Sequence, residues 1–111
     1  MIPALIALGV GALVVMACWD DIVDWLRSFT RKVKNFFRNI GHAAKIFAQK
    51  VRNYMFQVLH RVFFKENGKW YQETTRVEVE ESEVPAWAKA GVANSETDVT
   101  DKYQRELSLT V

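Results

Sequence analysis

The sequence predicts an α+β chain: an N-terminal transmembrane-type helix, a long basic amphipathic helix, and a small antiparallel sheet (hairpin plus C-terminal strand) with one short helix. Three observations carry this. Met1 to Cys18 holds no charged or strongly polar side chain. From Trp19 to Arg52 apolar residues recur at helical spacing. Asn67-Gly68 separates two runs rich in aromatic and β-branched residues. The expected boundaries are 1–19 for the apolar helix, 20–52 for the basic helix or helix pair, and 53–111 for a small domain.

With Trp19, the first segment reaches about the 20 residues that a bilayer span needs. Pro3 sits where a first helical turn tolerates it. Trp19 and Trp25 fall where interfacial aromatic rings settle. A cleaved signal opens with Lys or Arg, and this segment opens Met1-Ile2-Pro3. Val15-Met16-Ala17-Cys18 loosely resembles a bacterial lipoprotein box, but the missing basic start argues against export. A helix buried in an oligomer leaves the same trace. Ala7 and Gly11, with Gly9 nearby, form a small-xxx-small face on which helices approach closely.

Lys and Arg set the expected orientation. None precedes the span, while Arg27, Arg31, Lys32, Lys34 and Arg38 follow it. That places the C-terminal side in the cytoplasm, as for a single-pass protein of a bacterial inner membrane.

In the second segment Trp19, Ile22, Val23, Leu26, Phe29, Val33, Phe36, Phe37 and Ile40 fall on one stripe at 100° per residue. Ala44, Phe47, Ala48 and Val51 continue it, and Gly41 is a candidate break. Arg27, Arg31, Lys34 and Arg38 lie opposite. The expected use is a helix along lipid headgroups: Phe29, Phe36 and Phe37 dip in, and the four cations meet anionic lipid. The plainer alternative packs the Phe stripe on the C-terminal domain. Nucleic-acid binding by the same cations lacks any base-reading motif.

Asn67-Gly68 predicts a type I′ turn, which needs positive φ at both central residues. Counting outward pairs Glu66 with Lys69, Phe64 with Tyr71, Val62 with Glu73, His60 with Thr75, Val58 with Val77 and Phe56 with Val79. Ser82 to Gly91 brackets a short helix over 85–90. Alternation of Tyr103, Arg105, Leu107, Leu109 and Val111 predicts a third strand.

The net charge of +2 hides an asymmetry: residues 19–65 carry +7 and residues 66–111 carry −5. With one cysteine, Cys18, no internal disulfide forms. Two histidines, His42 and His60, and no HExxH or CxxC spacing argue against a metal. His60 reads as a satisfied or surface histidine. Glu78, Glu80, Glu81 and Glu83 read as a solvated edge rather than an acid–base pair. Ser95 and Ser108 lack a neighbouring His. No catalytic site or cofactor is expected.

The expected function is a non-enzymatic, self-associating interaction or assembly subunit at the membrane. Trp70, Tyr71 and Trp87 are its candidate contacts with a protein partner. The alternative is a membrane-perturbing effector, such as a small toxin or an oligomeric pore component.

Overall fold

Asn67 and Gly68 have φ of 52° and 78°, the left-handed pair that a two-residue type I′ turn requires. The turn sets the sheet. In the computed structural model, which describes residues 13–109, it joins β3 (Met55–Glu66) to β4 (Lys69–Glu80). The register expected from the turn is present throughout, from Glu66↔Lys69 through Phe64↔Tyr71 and His60↔Thr75 to Phe56↔Val79.

β2 (His42–Val51) pairs antiparallel with the other side of β3, from His42↔Phe64 to Val51↔Met55. Two short strands complete the sheet. β1 (Leu13–Val15) runs parallel to β4, with Leu13 beside Arg76 and Val15 beside Glu78. β5 (Thr97–Asp98) pairs with Phe47 and Ala48. The strand order is β1-β4-β3-β2-β5.

Alternation puts Ile46, Ala48, Phe56, Val58, His60, Val62, Phe64, Thr75, Val77 and Val79 on one face of this sheet, and all are buried. Helix α1 (Trp19–Phe36) covers that face. Trp19, Ile22, Leu26, Phe29 and Val33, followed by Phe37, recur every three or four residues and are buried against it. Asp20 and Asp21 in the first turn and Lys34 in the last suit the helix dipole.

The chain beyond β4 closes one end of this layer. A 3₁₀ turn (Glu81–Glu83), α2 (Ala86–Lys89) and α3 (Thr100–Leu107) follow in order. Val84, Ala88, Val92, Val99, Tyr103 and Leu107 join the core around Trp19. The Tyr103 hydroxyl donates to the Ala88 carbonyl at 2.9 Å, which satisfies a phenol that would otherwise be stranded. Asp98 anchors the start of α3. Partial burial works against its ionisation, but bonds from the Thr100 hydroxyl and amide, with Lys45 nearby, hold its carboxyl below the usual range.

Three expectations are corrected here. The segment 1–19 is not one helix, because Leu13–Val15 is a strand hydrogen-bonded to β4. Among the described residues, no helix is long and apolar enough to cross a membrane. The single-pass reading, its cytoplasmic C-terminus and the pore or toxin alternative lose their basis with it. Trp19 and Trp25 are not interfacial anchors. Trp19 is a core residue, edge-on to Phe56, Trp87 and Tyr103 at 6.5, 6.0 and 5.9 Å, and Trp25 stacks on Phe29 at 5.5 Å.

Secondly, the helical stripe stops at Phe36. Residues 42–51 are a strand, because pairing with β3 satisfies their backbone and buries Ile46 and Ala48. Thirdly, the C-terminal strand is helix α3. Val99, Tyr103 and Leu107 lie four apart and bury one helical face. The short helix is observed as Ala86–Lys89, and Gly91 follows it at φ 76°. Ala7 and Gly11 lie outside the described residues.

Leu26 is fully buried where α1 meets the sheet. Leu26→Ala is expected to cost about 2–5 kcal/mol of unfolding free energy. A urea midpoint close to that of the parent would show that α1 does not carry this interface.

Candidate functional site

Burying the Phe stripe of α1 turns its cations outward. Arg27, Arg31 and Lys34 lie at i, i+4 and i+7, on one exposed strip of the helix. α3 reaches this strip from the core side, since Tyr103 and Leu107 pack in the same cluster as Ile22 and Leu26. At its end Ser108 takes a left-handed conformation, φ 55° and ψ 44°. The backbone turns there, and the Leu109 amide donates to the Gln104 carbonyl at 3.0 Å.

A cleft of about 290 Å³ lies between the two elements, lined by Arg27, Thr30, Arg31, Lys34, Ser108 and Leu109. Among the described residues, three cations and two hydroxyl residues line it, and no carboxylate does. Three acids elsewhere pair with other cations: Asp98 with Lys45, Glu81 with Lys50 and Glu96 with Arg61. Arg27 is partly held in place. Its Nε and Nη2 both donate to the Leu107 carbonyl at 3.4 Å, so the guanidinium covers the negative end of α3. The arrangement presents donors and positive charge to a bound anion.

The expected contact residues divide. Arg27, Arg31 and Lys34 come together at the cleft, while Arg38 lies beyond the end of α1, exposed and outside it. Phe29 and Phe37 are buried and Phe36 is half-buried, so this stripe does not dip into a bilayer. It packs on the sheet. Phe37 stacks on Phe64 at 5.1 Å, and Phe64 on Tyr71 at 5.6 Å. Trp70 is 63% exposed at the hairpin tip and Tyr71 is 37% exposed. Trp87 is half-buried and edge-on to Tyr103 at 5.4 Å, which ties it to the core.

Sequence reasoning missed Ser108 and Leu109 as cleft residues. Their only local signal is the helical spacing of Val99, Tyr103 and Leu107, which places a helix end just before them. Arg61 was also missed. On the sheet face away from α1 its Nε donates to Thr74 Oγ1 at 2.9 Å. Its Nη1 and Nη2 grip Glu96 at 3.0 and 3.2 Å, and its guanidinium lies 4.8 Å from the Phe47 ring centre. With these partners it is occupied in pinning the loop before β5.

His60 departs most from expectation. It is fully buried, and neither ring nitrogen has a hydrogen-bond partner among the described residues. It meets Phe29 edge-on at 5.0 Å and lies opposite Thr75. Thr30, from α1, also has a buried hydroxyl without a partner among these residues. Burial pushes the His60 pKa down to about 4, so the ring is neutral at pH 7. Among the described residues no group of three His, Cys, Asp or Glu side chains could hold a metal ion.

No protein-family model, no curated protein and no solved structure matches the chain.

His60 makes stability depend on pH in a stated direction. In the unfolded chain the ring takes up its proton near pH ~6.5; in the folded chain it does so only near pH 4. Stability is therefore full above pH ~6.5 and falls as pH drops toward 4, by up to about 3 kcal/mol. In His60→Leu that part of the decline is expected to vanish in urea melts recorded from pH 7 to 4. An unchanged slope would assign the decline to other groups.

Proposed function

We propose that the chain is a non-catalytic binding module that docks an acidic segment of a protein partner on the outer face of α1. The observation that carries this reading is the cleft among Arg27, Arg31 and Lys34, which no carboxylate of the described residues lines. Three cations on one strip raise the local concentration of anions and speed their encounter. The rigid support matters as well. α1 is fixed to the sheet over its whole length, so the three side chains project from a fixed frame.

Other occupants fit this face less well. A second copy would bring an identical positive strip against it, which is repulsive. A bilayer surface would require apolar side chains beside the cations, and the Phe residues of α1 face the sheet instead. For nucleic acid there is charge, but no base-reading motif beside it.

Polyglutamate serves as the probe for this reading. At low ionic strength it is expected to bind, and to weaken as salt rises toward 0.15 M, where the Debye length is about 8 Å. Removing one cation, as in Arg31→Gln, is expected to weaken binding by roughly two- to fivefold. Reversing all three (Arg27→Glu, Arg31→Glu, Lys34→Glu) should abolish it, with the fold of the variant checked by circular dichroism because Arg27→Glu also gives up the Leu107 carbonyl contact. Equal binding by the parent and the triple variant would sink the reading.

A further inference from the structure

We infer that the cleft between α1 and Ser108–Leu109 is a phosphate-recognition subsite, which takes a phosphate monoester on a Ser, Thr or Tyr side chain of the docking segment. This rests on the acidic-segment reading and sharpens it at one position.

The match is one of charge and of geometry. A Glu or Asp side chain brings one negative charge and two oxygens in a plane. A phosphate monoester brings about −1.5 to −2 charge and three acceptor oxygens in a tetrahedral array. The cleft offers three cations from one helix strip and a hydroxyl residue, Ser108, from the facing element. A single carboxylate leaves part of this set without a partner, whereas three oxygens can address both arginines and the lysine together. Arg pairs with phosphate through parallel N–H donors, and Lys adds a mobile point charge.

Two further features favour a discrete site over a diffuse charged patch. Arg27 is already oriented by the Leu107 carbonyl through Nε and Nη2, and among the described residues Nη1 has no such partner. This contact also screens the carbonyl end of α3, which would otherwise repel an anion. The wall opposite the cations is a chain reversal. Ser108 adopts its left-handed conformation there, and Leu109 supplies an apolar surface for the carbon stem of the bound side chain. Arg38 stays outside, so the cleft has a boundary along the cationic strip.

The test compares three short peptides that differ at one position, carrying phosphoserine, glutamate or serine within an otherwise acidic sequence. Titration calorimetry on the full chain is expected to give at least ~10-fold tighter binding for the phosphoserine peptide than for the glutamate peptide. Inorganic phosphate should compete with it and shift the amide resonances of Arg27, Arg31, Lys34 and Ser108. Arg31→Gln should remove most of the preference for phosphoserine. Ser108→Gly, which suits the positive φ, should reduce that preference while the fold is retained. Arg38→Gln should leave it unchanged.

Equal affinity for the phosphoserine and glutamate peptides would overturn the subsite and leave acidic docking standing. Failure of all three peptides and of polyglutamate would overturn both. Binding to vesicles containing a phosphoinositide, with none to the phosphoserine peptide, would also overturn the inference, since it would place the phosphate on a lipid headgroup.

Discussion

The structure depends on one interface, the burial of a single stripe of α1 against the inward face of a five-stranded sheet. Six side chains from Trp19 to Phe37 recur every three or four residues along the stripe, and the sheet answers with every second residue of β2, β3 and β4. At one end Trp19 gathers Phe56, Trp87 and Tyr103 edge-on, and so joins α1, β3 and the segment carrying α2 and α3. At the other end Phe37, Phe64 and Tyr71 form a stacked row leading toward the hairpin tip. Edge-on and offset-stacked contacts of this kind add specificity to the area buried.

The outward surface follows from that interface. Once the apolar stripe faces the sheet, helix geometry turns Arg27, Arg31 and Lys34 the other way, without choice. What makes them a site is the docking of α3. Tyr103 and Leu107 enter the core beside Ile22 and Leu26, and this sets the end of α3 against the cationic strip. The hydrophobic packing of one helix thus supplies a wall for a polar cleft on another.

His60 and Thr30 show that the same interface is not optimised for stability alone. Both bury polar atoms without partners among the described residues, His60 on β3 and Thr30 on α1, and each such atom opposes folding by a desolvation cost of about 1–3 kcal/mol. A leucine at position 60 would fill comparable space without the polar nitrogens. The aromatic ring edge-on to Phe29 recovers part of that cost.

The most legible parts of the fold were those encoded by local chemistry. Asn67-Gly68 permits the turn because both residues tolerate positive φ, and every pairing of β3 with β4 follows by counting. The phase of α1 and its cationic strip were also readable, since 3.6-residue periodicity is a property of the segment itself. Elsewhere two periods coexisted. Ala44, Phe47, Ala48 and Val51 fit a helix, while Ala44, Ile46 and Ala48 fit a strand, and pairing with β3 selected the strand. Tyr103, Arg105 and Leu107 fit a strand, while Val99, Tyr103 and Leu107 fit a helix, and burial against Trp19 selected the helix.

The apolar opening stretch was the most misleading feature, because hydropathy measures avoidance of water without saying what replaces it. At Leu13–Val15 the edge of β4, distant in sequence, takes up the backbone while the three side chains stay exposed. The sequence by itself therefore determined the hairpin, its register, the buried face of α1 and the sign of the exposed one. Only the tertiary structure decided that 13–15 and 42–51 became strands and where α3 ends beside the cations, because those outcomes depend on contacts between distant residues.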